Sequence, residues 1–204
     1  MSAEVKAADV KALRERTGAA MMDCKSALAA AGGDMDRAIE LLRVKGQASA
    51  AKRSGRSTSE GVIASYVHAT GRIGVLVEVQ CETAFVARNA DFRAFAREIA
   101  LHVAAAAPPT YPAYALPPAE APAAPAWYGR KAAEAGTPGN VRERIVEGQL
   151  AKWRKEVALL EQQHVNADKH EGKTIEQLRE EASAKTGENI RIARFARFEV
   201  GAEG

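Results

Sequence analysis

The sequence is poor in aromatic residues, which make up 5% of its 204 residues, so its cores must rest on aliphatic side chains and alanine. No uninterrupted apolar run is long enough to span a membrane. The N-terminus lacks an apolar signal core and carries Glu4 and Asp9, acids that transit peptides avoid. The two cysteines, Cys24 and Cys81, lie far apart without metal-site spacing. Together these absences indicate a protein of a bacterial-type cytoplasm.

The signatures of enzyme catalysis are also missing. The chain has no glycine-rich phosphate loop of Walker type and no G-x-S-x-G sequence. Among the histidines, His68 is expected on a strand and His102 on a helix, while His164 and His170 flank a polar turn; such isolated histidines are usually structural. Cys81 at the end of a buried strand is more simply a small core residue than a nucleophile. We therefore expect that the protein is not an enzyme and that it has no catalytic residue, metal site or cofactor.

The charge is mildly basic, with a net value of +3 and a pI near 8.9, far from the dense basic patches of a dedicated nucleic-acid binder. The run Arg194 to Phe198 mixes cations with aromatic rings, as in proteins that stack nucleic-acid bases. On a strand, however, Arg194 and Phe198 share one face while Phe195 and Arg197 share the other, so alternation of core and edge residues explains the run more simply. A basic RNA- or ribosome-associated protein remains the alternative function, and a steep salt dependence of RNA affinity would favour it.

The first part of the chain reads as three short helices within residues 8–46. Asp34 can cap the third of these helices and Gly46 can end it. The helical unit, residues 1–50, buries little surface, so it must stay marginally stable or dock on something else. Residues 51–61 are polar and cationic, which predicts a flexible basic linker.

The remaining residues, 62–204, mix strands and helices. Strands are predicted over 62–69, 73–81 and 190–200, with Val75, Val77 and Val79 alternating onto one buried face. Helices are predicted to begin after Asn89, at Gly139 and Asn140, and after Thr174. Seven of the eight prolines fall within residues 108–126, so this Ala/Pro tract is predicted to be an extended connector. A hairpin, helices and a late strand imply an α+β fold with an antiparallel sheet.

Two places carry apolar residues that a small core does not need. The connector after Cys81 contains Phe85 and Val86, although turns prefer Gly, Asn, Asp and Pro. Such side chains are either tucked under the sheet or presented to a partner, and packing alone favours tucking. Met21 and Met22 are adjacent at a helix start, so either one is exposed as an adaptable partner surface or both seal a loose core.

These same places carry a family resemblance. Three ordered motifs resemble those of the elongation factor Ts family: Leu13–Ala19 with Met21–Leu28, Cys81–Thr83 with Phe85–Asn89, and Gly187–Ile190 with Arg194-Phe195 and Phe198-Glu199. The similarity runs from residue 9 to residue 201, with gaps in the Ala/Pro tract. The length resembles the short form of the family, which lacks a large duplicated core and a coiled-coil insertion.

The resemblance implies a fold consisting of a ubiquitin-associated-like three-helix domain at 1–50, a linker at 51–61 and an α+β core at 62–204. It also implies an activity, guanine nucleotide exchange, on elongation factor Tu in its GDP-bound and nucleotide-free states. Short-form members act as homodimers, so dimerisation through the core is expected. No direct binding of nucleotide, nucleic acid or membrane is expected.

The resemblance further assigns roles to individual residues. Thr83, Ala84, Phe85 and Val86 would disturb the Mg²⁺ and phosphate site of the partner, with Phe85 as an apolar wedge. In the N-terminal domain, Arg14 and the turn at Met21 and Met22 would grip a helix of the GTPase domain.

The sequence departs from the family pattern at two of these places. The family has aspartate where this chain has Ala84, so a charge-based part of the effect on magnesium is missing and a reduced exchange rate is expected. Near residue 162 the family continues with Pro-Phe, whereas this chain has Gln163-His164, so the loop there should differ in shape.

Overall fold

The computed structural model describes residues 5–108, 128, 130 and 138–202. Its helices are α1 Ala7–Thr17, α2 Met21–Ala30, α3 Met35–Arg53, α4 Ala84–Arg88, α5 Ala90–Ala106, α6 Gly139–Val157, α7 Ala167–His170 and α8 Ile175–Thr186. The strands are β1 Glu60–Val67, β2 Ile73–Cys81 and β3 Arg191–Glu199. The predicted α+β class with an antiparallel sheet is therefore confirmed. Apart from Pro108, the predicted connector at 108–126 lies outside the described residues. In the described part of the chain, no helix has the length and apolar character needed to cross a bilayer.

The chain divides into two compact units. The first contains the described residues up to Gly61 together with Gln80–Phe92 and Gln177–Arg191. The second contains Val62–Val79, the described residues of Arg93–Glu176, and the chain from Ile192 onward. The N-terminal helices thus share a unit with two later segments that the sequence assigned to the 62–204 domain.

One buried cluster of the first unit lies among the three N-terminal helices that the sequence predicted. Its buried members are Val10, Leu13, Cys24, Ala27, Leu28, Ala31, Ala38 and Leu42. Gly18 ends α1 with a φ of +68°, a left-handed conformation that glycine adopts without strain. Asp34 caps α3, because its side chain accepts the backbone N–H of Arg37.

The predicted end of α3 at Gly46 is wrong, because the helix continues to Arg53. Glycine costs about 1 kcal/mol relative to alanine inside a helix, but here its missing side chain has a use. A Cβ at Gly46 would lie 3.3 Å from the Cβ of Ala184. Further along α3, Ala50 is buried and Arg53 donates to the carbonyl of Ser183 at 3.1 Å. The packing of α3 on α8 therefore outweighs the helix-ending tendency of the glycine.

The segment predicted as a linker is correspondingly short, since only residues 54–59 lie between α3 and β1. Hydrogen bonds hold this segment: the side-chain amide of Asn189 donates to the carbonyl of Ser54 at 3.2 Å and to that of Arg56 at 2.8 Å. The connection is thus tied to the chain that follows α8.

The sheet has the order β1-β2-β3. Its register follows from two backbone bonds, His68 N–H to the Ile73 carbonyl at 2.9 Å and Val200 N–H to the Arg72 carbonyl at 3.0 Å. One face is buried, as the alternation predicted, with Val75, Val77 and Val79 at most 2% exposed. The opposite face exposes apolar side chains: Ile63, Val67, Leu76 and Phe198.

Candidate functional site

The connector after Cys81, which the sequence predicted to be a loop, contains a short helix. Helix α4 covers Ala84–Arg88, and Thr83 is its N-cap, since the hydroxyl accepts the Val86 N–H at 3.4 Å. Asn89 then caps α5 as predicted, accepting the Asp91 N–H at 2.7 Å. The two caps give the segment a defined path in place of an irregular one.

The side chain of Phe85 points into solvent. It is 86% exposed, whereas Ala87 is 7% exposed and Ala84 and Val86 are half-buried. Successive helical residues are rotated by about 100°, so Phe85 and Ala87 lie about 200° apart on α4. Burying Ala87 therefore turns Phe85 outward, and the expectation that Phe85 is tucked under the sheet is wrong.

The carboxylate of Glu188 holds the start of this segment. Its Oε2 accepts the backbone N–H groups of Glu82 at 2.9 Å and Thr83 at 3.0 Å. Its Oε1 accepts the hydroxyl of Thr83 at 2.6 Å. Three donors thus converge on one side chain, and two of them come from the residue that caps α4.

A reciprocal bond runs the other way. The carboxylate of Glu82 accepts the backbone N–H of Asn189 at 2.6 Å and faces Arg56 at 3.4 Å. Residues 82–83 and 188–189 therefore bind each other through both of their acidic side chains. The clamp was not predicted from the sequence, although its members lie in the second and third of the motifs quoted above. The paired residues are 105 to 107 positions apart, so no pattern local to either segment indicates the pairing.

The other predicted site residues flank the turn between α1 and α2. Arg14 is exposed, and both Met21 and Met22 are exposed, at 46% and 68%. The buried face of α2 is formed instead by Cys24 and residues following it, such as Leu28. Neither methionine seals the core, so that alternative is wrong, while their use as a partner surface stays a prediction. The two regions that the resemblance assigns to partner binding, the α4 segment and the turn between α1 and α2, therefore both lie in the first unit.

A histidine cluster in the second unit was not predicted. His102 and His164 are buried, their ring centres lie 5.4 Å apart, and His164 lies 4.1 Å from His170. Glu98 faces His164 at 3.6 Å and His170 at 3.3 Å, and it also forms an ion pair with Lys169. Burial raises the pKa of Glu98, but hydrogen bonds from Lys169 and His170 outweigh burial and leave this pKa below its usual value.

The hydrogen bonds fix how these rings carry their protons. His164 Nδ1 accepts the Asn166 N–H at 3.1 Å, so its proton is on Nε2, 3.2 Å from the Glu98 carbonyl. His102 Nδ1 likewise accepts the Val165 N–H at 3.2 Å. Glu98, His164 and His170 have the residue types and proximity of a metal site. A metal ion at His164 Nε2 would have to displace that proton and lie near the Lys169 ammonium group, so the arrangement favours an internal hydrogen-bond cluster.

The geometry gives Cys81 no nucleophilic character. The thiol is fully buried and donates to the Thr83 carbonyl at 3.3 Å. Burial, together with the nearby Glu188 carboxylate, raises the pKa of Cys81 to about 11. Since the thiolate is the reactive form, this environment suits a core residue.

The cations of the Arg194 to Phe198 run are engaged within the chain. Arg194 pairs with Glu78 at 2.6 Å, and Arg197 pairs with Glu199 at 2.7 Å. Phe195 is half-buried while Phe198 is exposed, which agrees with the predicted alternation of faces. The arrangement gives no support to a base-stacking surface with free cations beside it.

Comparison with known proteins gives one consistent result. A family model described as "Elongation factor TS" matches residues 3–202. The elongation factor Ts of Nitratidesulfovibrio vulgaris is 50% identical over 194 residues, covering 95% of this chain and 96% of that protein. The protein of the same name from Carboxydothermus hydrogenoformans is 51% identical over 192 residues, covering 94% and 87%. The one from Caldanaerobacter subterraneus is 49% identical over 197 residues, covering 97% of both chains.

Proposed function

Because this chain belongs to the elongation factor Ts family of translation elongation factors, we propose that it binds elongation factor Tu in the cytoplasm and accelerates the release of GDP. It would bind both the GDP-bound and the nucleotide-free partner. The exchange requires no covalent chemistry and no contact between this chain and the nucleotide.

The observation that carries the proposal is the exposure of Phe85. A phenylalanine side chain loses about 1.5–3 kcal/mol of favourable burial when it stays in water. In this chain the side chain of Phe85 is 86% exposed on a capped helix, while Ala87 in the same helix is buried. Such a side chain is positioned to enter an apolar site on another protein.

The mechanism follows from how a GTPase holds GDP. Backbone amides surround the phosphates, and a magnesium ion bridges them to the protein. Magnesium requires nearly ideal octahedral geometry, so a small displacement of its surroundings is costly. Phe85 would enter beside this site together with Thr83, Ala84 and Val86. It would weaken the binding of GDP without touching the nucleotide.

The turn between α1 and α2 would supply affinity. Met21 and Met22 offer flexible apolar side chains that adapt to a partner helix, and Arg14 adds an exposed cation in the last turn of α1. These residues would anchor the partner while α4 acts on the magnesium site. Anchoring and displacement are thus assigned to different residues of the same unit.

We also propose a homodimer formed through the exposed face of the sheet. The register places Val67, Gly74 and Phe198 in one row across the strands, and Gly74 has open space where a side chain would be. Val67 is 69% and Phe198 67% exposed on this face. A second copy related by a two-fold axis would cover the same patch on both chains, as sheets do when they pack face to face.

Calorimetric titration with elongation factor Tu tests the binding part of the proposal. If this protein lowers the affinity of the partner for GDP, then GDP must lower the affinity of the partner for this protein by the same factor. We expect much tighter binding to the nucleotide-free partner than to the GDP-bound one, and weaker binding to both for Met22→Ala. Equal affinity for the two partner states would overturn the proposal, because a ligand without differential affinity shifts no equilibrium.

A further inference from the structure

The clamp between residues 82–83 and 188–189 holds the residue that caps α4, and α4 carries Phe85. We propose that Glu188 is a positioning residue for nucleotide exchange: it fixes Thr83, Thr83 caps α4, and α4 aims Phe85. This inference rests on the proposed function, in which Phe85 acts on the magnesium site of the partner. It adds a residue from the far end of the chain to that action.

The first step is the number of bonds that Glu188 makes. Both carboxylate oxygens are used, one by the N–H groups of Glu82 and Thr83 and the other by the Thr83 hydroxyl. Hydrogen bonds to an ionised acceptor are roughly twice as strong as neutral ones. Thr83 is therefore held at its backbone and at its side chain by a single group.

The second step concerns the single proton of the Thr83 hydroxyl. Because that proton is donated to Glu188 at 2.6 Å, the lone pairs of the oxygen are left to accept the Val86 N–H. The N-cap bond of α4 thus depends on the orientation that Glu188 imposes. Without this acceptor, the hydroxyl is free to rotate away from α4.

The third step is that Glu188 is itself held in place. The buried hydroxyl of Ser183 donates to the Glu188 carbonyl at 2.6 Å. The next residue, Asn189, donates its backbone N–H to the Glu82 carboxylate. The carboxylate of Glu188 is therefore carried by a backbone that is bonded on both sides.

The wedge needs this support for two reasons. Helix α4 has five residues, far fewer than an isolated helix needs to be stable in water. Phe85 is almost fully exposed, so contacts of its own ring add little to the direction that the burial of Ala87 sets. Ordering a loose wedge during insertion would consume free energy that otherwise displaces the magnesium site.

The test measures the rate of GDP release from elongation factor Tu at increasing concentrations of this protein. Two quantities are obtained: the maximal rate and the concentration that gives half of the maximal rate. In Glu188→Gln the amide oxygen still accepts the two backbone N–H groups, but the NH₂ group replaces the acceptor of the Thr83 hydroxyl. We expect the maximal rate to fall about tenfold, as for a misplaced reacting group. The half-saturating concentration should change less than about twofold, because the anchoring methionines are untouched.

Thr83 gives a second, independent pair of variants. Thr83→Val removes the hydroxyl while keeping the size of the side chain, and it should lower the maximal rate as Glu188→Gln does. Thr83→Ser keeps the hydroxyl and should restore the wild-type rate. This pair replaces Glu188→Gln if that variant fails to fold. The matched control is Glu147→Gln on α6, which removes the same charge at an exposed position and should leave the rate unchanged.

Combining Glu188→Gln with Phe85→Ala decides how Glu188 acts. A positioning residue should have almost no further effect once Phe85 is removed. An equal loss in both backgrounds, or an unchanged rate for Glu188→Gln alone, would overturn the inference while leaving the proposed function intact. If Phe85→Ala alone left the maximal rate unchanged, the wedge itself would be wrong and this inference would fall with it.

Discussion

Phe85 and Ala87 lie two residues apart in the same short helix, yet Phe85 is 86% exposed and Ala87 is 7% exposed. The helix is thus attached by one face and offers the opposite face to solvent. Phe85→Ala should therefore change the free energy of unfolding by no more than about 0.5 kcal/mol, as for other surface substitutions. Urea unfolding of the two proteins at the same concentration measures this difference.

The alternative is a phenylalanine that packs into the first unit. Truncation of a buried phenylalanine costs about 3–5 kcal/mol. A loss of that size in Phe85→Ala would contradict the exposed position. Val141→Ala, which truncates an apolar side chain 41% exposed on α6, is the matched control and should also be nearly neutral.

Replacing Ala84 by the aspartate that the family resemblance leads us to expect there should accelerate GDP release. Ala84 is the first residue of α4 and lies next to Phe85, so a carboxylate there would approach the magnesium neighbourhood together with the wedge. We expect a maximal rate about threefold to fivefold higher for Ala84→Asp, equivalent to roughly 0.7–1 kcal/mol in the barrier to release. Ala84→Asn has a similar shape without the charge and should give less.

An unchanged rate in Ala84→Asp would show that the carboxylate is dispensable in this chain. An equal gain from Ala84→Asn would assign the effect to shape or hydrogen bonding. Either result would contradict a charge-based contribution.

The proposed dimer predicts that a charge on the exposed sheet face separates the two copies. Phe198→Asp should raise the dissociation constant at least about a hundredfold, because two desolvated carboxylates would enter one symmetric interface. Sedimentation velocity over a range of concentrations measures this constant. Val165→Asp, which introduces the same charge at an exposed position elsewhere in the second unit, should leave the dimer intact.

A wild-type protein that sediments as a monomer at all concentrations would contradict the proposed interface. A Phe198→Asp protein that remains dimeric would place the interface elsewhere. In either case the exchange activity proposed for the first unit would be unaffected.

The buried histidines predict a loss of stability in acid. Burial lowers the pKa of His102 to about 4, with a smaller contribution from His164, while the Gln162 hydrogen bond acts in the opposite direction. The unfolded chain, with a histidine pKa near 6.5, therefore binds a proton that the folded chain rejects. Stability is complete above pH 6.5 and falls between about pH 6.5 and 4, by roughly 3 kcal/mol for His102 at about 1.4 kcal/mol per pKa unit.

Urea unfolding between pH 4 and 8 measures this slope. His102→Asn keeps an acceptor for the Val165 N–H and carries no charge at any of these pH values, so its stability should depend less on pH. Burial also lowers the pKa of His164, so the pH dependence that His164 contributes should remain in this variant. A His102→Asn curve as steep as that of the wild type would contradict the assignment.

Much of the fold follows from local patterns in the sequence. The alternating valines of β2 and the caps Asp34 and Asn89 were predictable because each depends on residues close in sequence. The passage of α3 through Gly46 was not, since it depends on packing against the distant Ala184.

The same distinction applies to the candidate site. The motifs indicated Thr83 to Val86 and the methionine turn, but they did not indicate which way Phe85 points. That direction follows from the burial of Ala87, and the segment is held by hydrogen bonds to the Glu188 carboxylate, which comes close to it only in the folded chain. The buried state of His164 likewise depends on contacts with Glu98 and His102, which are distant in sequence.

The rate of GDP release from elongation factor Tu tests most directly whether Phe85 drives nucleotide exchange. Fluorescent GDP bound to the partner is mixed in a stopped flow with excess unlabelled GDP and with saturating wild-type protein or Phe85→Ala. We expect rapid release with the wild type and release at least about tenfold slower with the variant. Phe85→Leu, which keeps an apolar side chain, should lie between them. Rapid release that survives in Phe85→Ala, or no acceleration by the wild type at any magnesium concentration, would show that Phe85 does not drive exchange.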